Sequence, residues 1–240
     1  FVGCQFVELD KSVLEPFKSS LKILNIRNNP KQRTKILDLL QELTLESVTL
    51  NDVKLTDDHF QHILYGLTGD FLSSLDIKEN DITKFEEDLL TLCKIKHIDI
   101  SKNKVKSWNL GRGSSMDNLV SLNLSDNKLK SWDTGLNQLP SLQTLDLSGN
   151  SIACIEPATL VRPRSNSTGE ATKLQLNINL SRNPLSCDCM CVLLNAQVGN
   201  LNFIDIEYYV CVKDEESIKL LDHCDEDMYD AWHAAIVVAV

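Results

Sequence analysis

The sequence predicts an α/β solenoid with a parallel sheet on its concave side and helical or irregular segments on its convex side. A cysteine-rich segment follows the last repeat. Three observations carry this. The frame L-x-x-L-x-L-x-x-N-x-L recurs along the 240 residues, its clearest copies begin 23, 24 and 23 residues apart, and five of eight cysteines lie between Cys187 and Cys224. A coil of that length has too small a core to fold alone, so stacking must supply the stability.

The clearest copy is Leu119, Leu122, Leu124, Asn127 and Leu129. In its central L-x-L strand, Leu122 and Leu124 face inward and Ser121, Asn123 and Ser125 outward. Asn127 turns the chain and bonds the backbone of the adjacent coil, which a buried bend cannot leave unpaired. Ile95, Ile98, Ile100, Asn103 and Val105 repeat the frame one unit earlier, and Leu142, Leu145, Leu147, Asn150 and Ile152 one unit later. Leu72, Leu75, Ile77, Asn80 and Ile82 add a fourth copy. The frame and its period are those of a leucine-rich repeat, which predicts a horseshoe.

The frame loosens toward both ends. Leu40, Leu43, Leu45 and Leu50 fit with Val48 in the asparagine position, and Leu21, Leu24, Ile26 and Asn29 fit further back. Ile178, Leu180, Asn183 and Leu185 fit at the other end, with Gln175 in place of the first leucine. In this register the intervals 40–72 and 142–175 carry insertions. The domain reading is repeats over 1–183 (about seven), a cap over 184–224, and an acidic stalk with the start of a transmembrane helix over 225–240.

Thr56 is placed to cap a helix whose face carries Phe60, Ile63, Leu64 and Leu67. That face reads first as the convex layer of the solenoid and second as a ligand pocket. His59 and His62 lack a third ligand, so no metal is expected. Phe85, Trp108, Trp132 and Ile155 each sit five residues after a template asparagine, which predicts a core column. The concave positions Asn25, Thr44, Asp76, Asp99, Asn123, Asp146 and Asn179 are small and polar, without the aromatic anchor that dominates most interfaces.

Net charge is −10, unevenly spread. Lys94 to Lys130 holds eight Lys/Arg and three Asp/Glu, a basic flank able to attract an anionic ligand; Asp205 to Asp230 holds ten Asp/Glu against Lys213 and Lys219. Nucleic acid is not indicated by charge alone. No nucleophile, base or metal set recurs at a workable spacing, so neither an enzyme nor a cofactor is expected. The cysteines point to an oxidising compartment, in agreement with sequons at Asn123, Asn166 and Asn179. Arg162 to Gly169 reads as a polar loop around Asn166. The start at Phe1-Val2 reads as a piece of a longer secretory-pathway protein. The apolar run Ala234 to Val240 after Trp232 is too short to span a bilayer and reads as the beginning of a span.

Cys187-Asp188-Cys189, with Cys211 and Cys224 downstream, resembles the C-terminal cap of extracellular leucine-rich repeat proteins. That resemblance implies Cys187–Cys211 and Cys189–Cys224. Spacing alone allows three pairings of these four, Cys191 is supernumerary, and a zinc site is the competing reading. Roles for Cys4, Cys93 and Cys154 are not assigned.

Capped repeats, an acidic stalk and a nascent membrane span together resemble the membrane-proximal ectodomain of a Toll-like receptor. The early coils, L-T-L-E-S-V-T-L-N-D-V-K-L and the longer helix after them, are most similar to the lipopeptide-sensing subfamily. The resemblance implies a cell-surface, single-pass receptor of innate immunity that binds a microbial lipid or lipopeptide and forms a homo- or heterodimer with a related receptor. It also implies a pocket on the convex side, with Phe60, Ile63 and Leu64 as lining residues. The other reading is a leucine-rich repeat adhesion or synaptic protein with a protein ligand.

Overall fold

The register is set by which apolar residues pair across the sheet. The structure is a computed structural model, and it describes residues 12, 14–29, 38, 40, 43–67, 71–84, 94–110, 115–161, 174–195, 201–220 and 224. Its concave sheet contains β1 (Ile23–Arg27), β2 (Ser47–Asn51), β3 (Ser74–Asp76), β4 (His97–Asp99), β5 (Ser121–Asn123), β6 (Thr144–Asp146) and β7 (Leu176–Asn179). All neighbours are parallel, and β9 (Leu201–Phe203) extends the sheet beyond β7. Leu24, Val48, Leu75, Ile98, Leu122, Leu145 and Ile178 fall in one cross-strand row, all buried. Their side chains form the spine of one continuous core.

That row corrects the frame proposed at Leu40. Val48 pairs with Leu75 rather than standing where Asn belongs, so the second coil reads Leu45, Val48, Leu50, Val53 and Leu55. Coil starts at 21, 45, 72, 95, 119, 142 and 175 are then 24, 27, 23, 24, 23 and 33 residues apart. The large insertion between 40 and 72 shrinks to three or four residues. Thr44 is likewise not a strand residue; Ser47 and Thr49 take the outward positions, while Asn51 is buried and its amide donates to Asp76 Oδ2 at 2.9 Å. In the last coil Leu176, one place after Gln175, is fully buried and supplies the missing apolar contact.

Each coil turns in the same way. Asn28, Asp52, Glu79, Lys102, Asp126, Gly149 and Arg182 all have φ between 51° and 64°, and each immediately precedes the template position. The template asparagines then stitch neighbouring coils. Asn127 Oδ1 accepts from Val105 N at 2.9 Å, while its Nδ2 donates to Ile100 O and Leu124 O at 3.0 Å each. Asn80, Asn103, Asn150 and Asn183 make the same kinds of bond one coil apart. These bonds satisfy buried backbone groups that no sheet ladder reaches.

On the convex side Thr56 precedes helix α1 (Asp57–Gly66). Trp108 and Trp132 stack at 6.5 Å between ring centroids, 20° from parallel, and both are buried with Ile155. Phe85, expected in the same column, lies outside the described residues.

The cap begins with β8 (Leu185–Ser186) and helix α2 (Cys187–Asn195), followed after β9 by β10 (Val210–Lys213) and β11 (Glu216–Lys219). β10 lies between β8 and β11, and the β10–β11 hairpin turns on Asp214 and Glu215, both at positive φ. Cys187 bonds Cys211, as the resemblance implies, but Cys189 bonds Cys154 and Cys191 bonds Cys224. The Cys189–Cys224 expectation is therefore corrected. Helical geometry gives the reason: residues two apart on α2 point to nearly opposite sides, while those four apart share a face. Cys187 and Cys191 consequently turn toward the cap and Cys189 toward the solenoid. Ser186 N donates to Ala153 O at 2.7 Å, which brings α2 beside Cys154. Sulfurs bonded in pairs replace the zinc reading.

Candidate functional site

Helix α1 is held at both its entry and its flank. Thr56 N donates to His59 Nδ1 at 3.2 Å, so that imidazole completes the N-terminal cap of the helix. Asp57 reaches the next coil, where it accepts from Thr83 N at 2.6 Å and Lys84 N at 3.1 Å and from the Thr83 hydroxyl at 2.5 Å. Burial opposes ionisation of Asp57, but these donors and the nearby Lys84 charge outweigh it and leave its pKa below the ordinary value.

Two of the three proposed lining residues face inward. Phe60 is 3% exposed and Ile63 is fully buried, and both belong to the continuous core. Leu64 lies within α1, but its side chain is outside the described residues. An acyl chain could reach Phe60 and Ile63 only if α1 moved off the coil beneath it. Among the described residues there is no group of three or more His, Cys, Asp or Glu able to hold a metal ion.

The concave ladder has a structural task that its composition did not reveal. Asp99, Asn123, Asp146 and Asn179 each accept, through Oδ1, from the backbone N–H two residues on, at 2.9–3.1 Å. Each side chain thus closes the strand-to-turn corner of its own coil. At the two sequons Asn123 and Asn179, Oδ1 is engaged in this way. Asn166 and the loop 162–169 lie outside the described residues, as do Cys4, Cys93 and residues 225–240.

The cap uses one residue that no repeat pattern flags. In successive coils Ile100, Leu124 and Leu147 donate their N–H to the next coil's carbonyl, from Asn123, Asp146 and Asn179. Leu180 instead donates to the phenolic oxygen of buried Tyr209 at 2.7 Å. Tyr209 stands in for the carbonyl of the coil that would come next. Burial raises its pKa well above the ordinary tyrosine value, Asp146 and Asp205 add to the rise, and the Leu180 bond only partly opposes it. Tyr209→Phe should cost about 1–3 kcal/mol in urea unfolding, because Leu180 N–H is left buried and unpaired. The wild type should also lose stability above about pH 10, where the unfolded chain ionises its tyrosine and the folded one cannot. The contribution is complete below that pH, and the variant should show a smaller alkaline loss. Equal stability of the two proteins would make the phenol dispensable.

Residues 117–159 match the family model described as leucine rich repeats (2 copies). With that match on coils whose pairing is already described, the assignment is direct. The fold is a leucine-rich repeat solenoid. No curated protein matches the chain. Leucine-rich repeats point to ligand binding or protein interaction rather than catalysis, and the disulfides point to an extracellular or secreted domain. Among the described residues no helix is long and apolar enough to cross a membrane.

Proposed function

We propose that this leucine-rich repeat chain is the ligand-binding extracellular part of a Toll-like pattern-recognition receptor, anchored by a C-terminal span and acting through ligand-induced dimerisation. The observation that carries the reading is the disulfide-bonded cap directly after the last coil, followed in sequence by an acidic spacer and an apolar run. The ligand class is a microbial lipid or lipopeptide. It enters by displacing α1, whose coil is 27 residues long against 23 or 24 for its regular neighbours, and then contacts Phe60, Ile63 and Leu64. N-linked glycans on Asn123 and Asn179 crowd the concave face between β5 and β7, which directs the ligand elsewhere.

Burial of Phe60 and Ile63 favours the second reading, an adhesion-type protein that binds a protein ligand. One experiment separates them: hydrogen exchange on the secreted, glycosylated ectodomain, with and without a lipopeptide micelle control. Slowed exchange across 50–72 with lipopeptide is expected. Protection confined to the strands around Asp99, Asn123 and Asp146 would favour the adhesion reading. Peptide masses from the same digests read glycan occupancy, and bare Asn123 and Asn179 would remove the crowding argument.

A further inference from the structure

The basic flank noted in the sequence becomes a defined surface in the solenoid. Lys104 and Lys106 sit one and three residues after template Asn103; Lys128 and Lys130 occupy the same places after Asn127. All four are exposed, while Val105 and Leu129 between them are fully buried. The backbone beneath is fixed: Lys104 N donates to Ile82 O, Lys106 N to Thr83 O and Lys128 N to Val105 O, at 2.8, 3.1 and 2.8 Å. The four lysines therefore root on two adjacent coils joined by the Lys128–Val105 bond, on the flank beyond the asparagine turns and away from the two concave sequons.

Three of the four charges are not neutralised as others are on this side. Lys102 pairs with Glu79 at 2.7 Å, Lys104 with Asp81 at 2.6 Å, and Arg182 with Asp126 at 2.6 Å. Lys106, Lys128 and Lys130 form no ion pair within 4 Å among the described residues. The nearest following acid, Asp133, accepts from the Ser131 hydroxyl at 2.8 Å. In the neighbouring coils Thr83 and Ala153 stand at the place of Lys106 and Lys130, while Asp81 and Ser151 stand at the place of Lys104 and Lys128.

We infer that Lys106, Lys128 and Lys130, flanked by Lys104, bind a sulfated polysaccharide chain. None of the large exposed apolar residues lies between 94 and 130, so the patch lacks the anchor a protein partner would require. Trp108 and Trp132 are buried beneath it and offer no platform for stacking bases. The sulfates and carboxylates of a sulfated glycan can be met by a few fixed cations on one face, with neither an apolar anchor nor a stacking platform. This inference is independent of the Toll-like reading.

The test is binding of the secreted chain to immobilised heparin at about 0.15 M salt, where charges further apart than about 8 Å are screened. The variant K106E/K128E/K130E is compared with K94E/K96E/K213E, which changes net charge equally at other places. The first should bind at least about tenfold more weakly and the second within about twofold of wild type; matched melting temperatures establish that both variants are folded. Failure of wild type to bind, equal weakening by both variants, or undiminished binding to desulfated heparin would each overturn the proposal. Equally tight, K106E/K128E/K130E-sensitive binding to duplex DNA would also overturn it, in favour of a general polyanion site.

Discussion

Trp132→Ala should lower the unfolding free energy by roughly 3–5 kcal/mol, the usual cost of deleting a large buried aromatic side chain. Trp132 is 2% exposed and stacks on Trp108, so the truncation opens a gap in the convex column and removes a face of its neighbour's packing. In a solenoid the damage spreads, because each coil is stabilised chiefly by its two neighbours. Trp132→Phe supplies the control. The indole N–H of Trp132 is buried without a hydrogen-bond partner, so phenylalanine removes an unsatisfied donor while keeping most of the apolar volume. Its loss should be well below that of alanine. Urea unfolding of the secreted chain measures both. Alanine melting like wild type while ligand binding fails would make these binding aromatics and overturn the column.

The central coils were legible because a stacked core demands the same residue type at the same place in each turn. Leu122, Leu145 and Ile98 repeat that demand, and Asn103, Asn127 and Asn150 repeat the bridging bonds that a buried corner needs. The second coil misled for a definite reason. Leu40, Leu43 and Leu45 satisfy L-x-x-L-x-L by themselves, while the true coil places Val48 at a core position and Val53 at the asparagine site. Two overlapping frames fit the letters; the pairing of Val48 with Leu75 and the left-handed Asp52 decide between them. The register shift also leaves the coil that carries Phe60 and Ile63 only three or four residues longer than its neighbours, and both residues are buried. Tyr209 was invisible for the opposite reason. Its task arises once, at the end of the stack, so periodicity carries no trace of it. The acidic and amide residues of the concave row form a surface without anchors, and their bonds to the following turn explain why that row is polar.

Non-reducing peptide mapping should recover three bridges, Cys154–Cys189, Cys187–Cys211 and Cys191–Cys224, which break in a definite order. They close spans of 35, 24 and 33 residues. In the chain-entropy account, loops of this size contribute about 3–4 kcal/mol each, and because these loops interleave, their contributions do not simply add. Exposure separates the three. Cys187 and Cys211 are fully buried between α2 and β10, and Cys224 is 5% exposed. Cys154 sits exposed on the flank of the solenoid. A thiolate must reach sulfur to attack it, so limited reduction followed by alkylation should label Cys154 and Cys189 first and Cys187 and Cys211 last. The paired variant Cys187→Ser/Cys211→Ser should be the most damaging, since it also buries two hydroxyls in place of sulfur. Loss of Cys154–Cys189 should instead free α2 from the last regular coils while β9 and Tyr209 still hold the cap to the sheet. Recovery of Cys189 with Cys224 would restore the pairing implied by resemblance and break the helical-face argument, because Cys189 would then have to turn toward the side that Cys187 and Cys191 share.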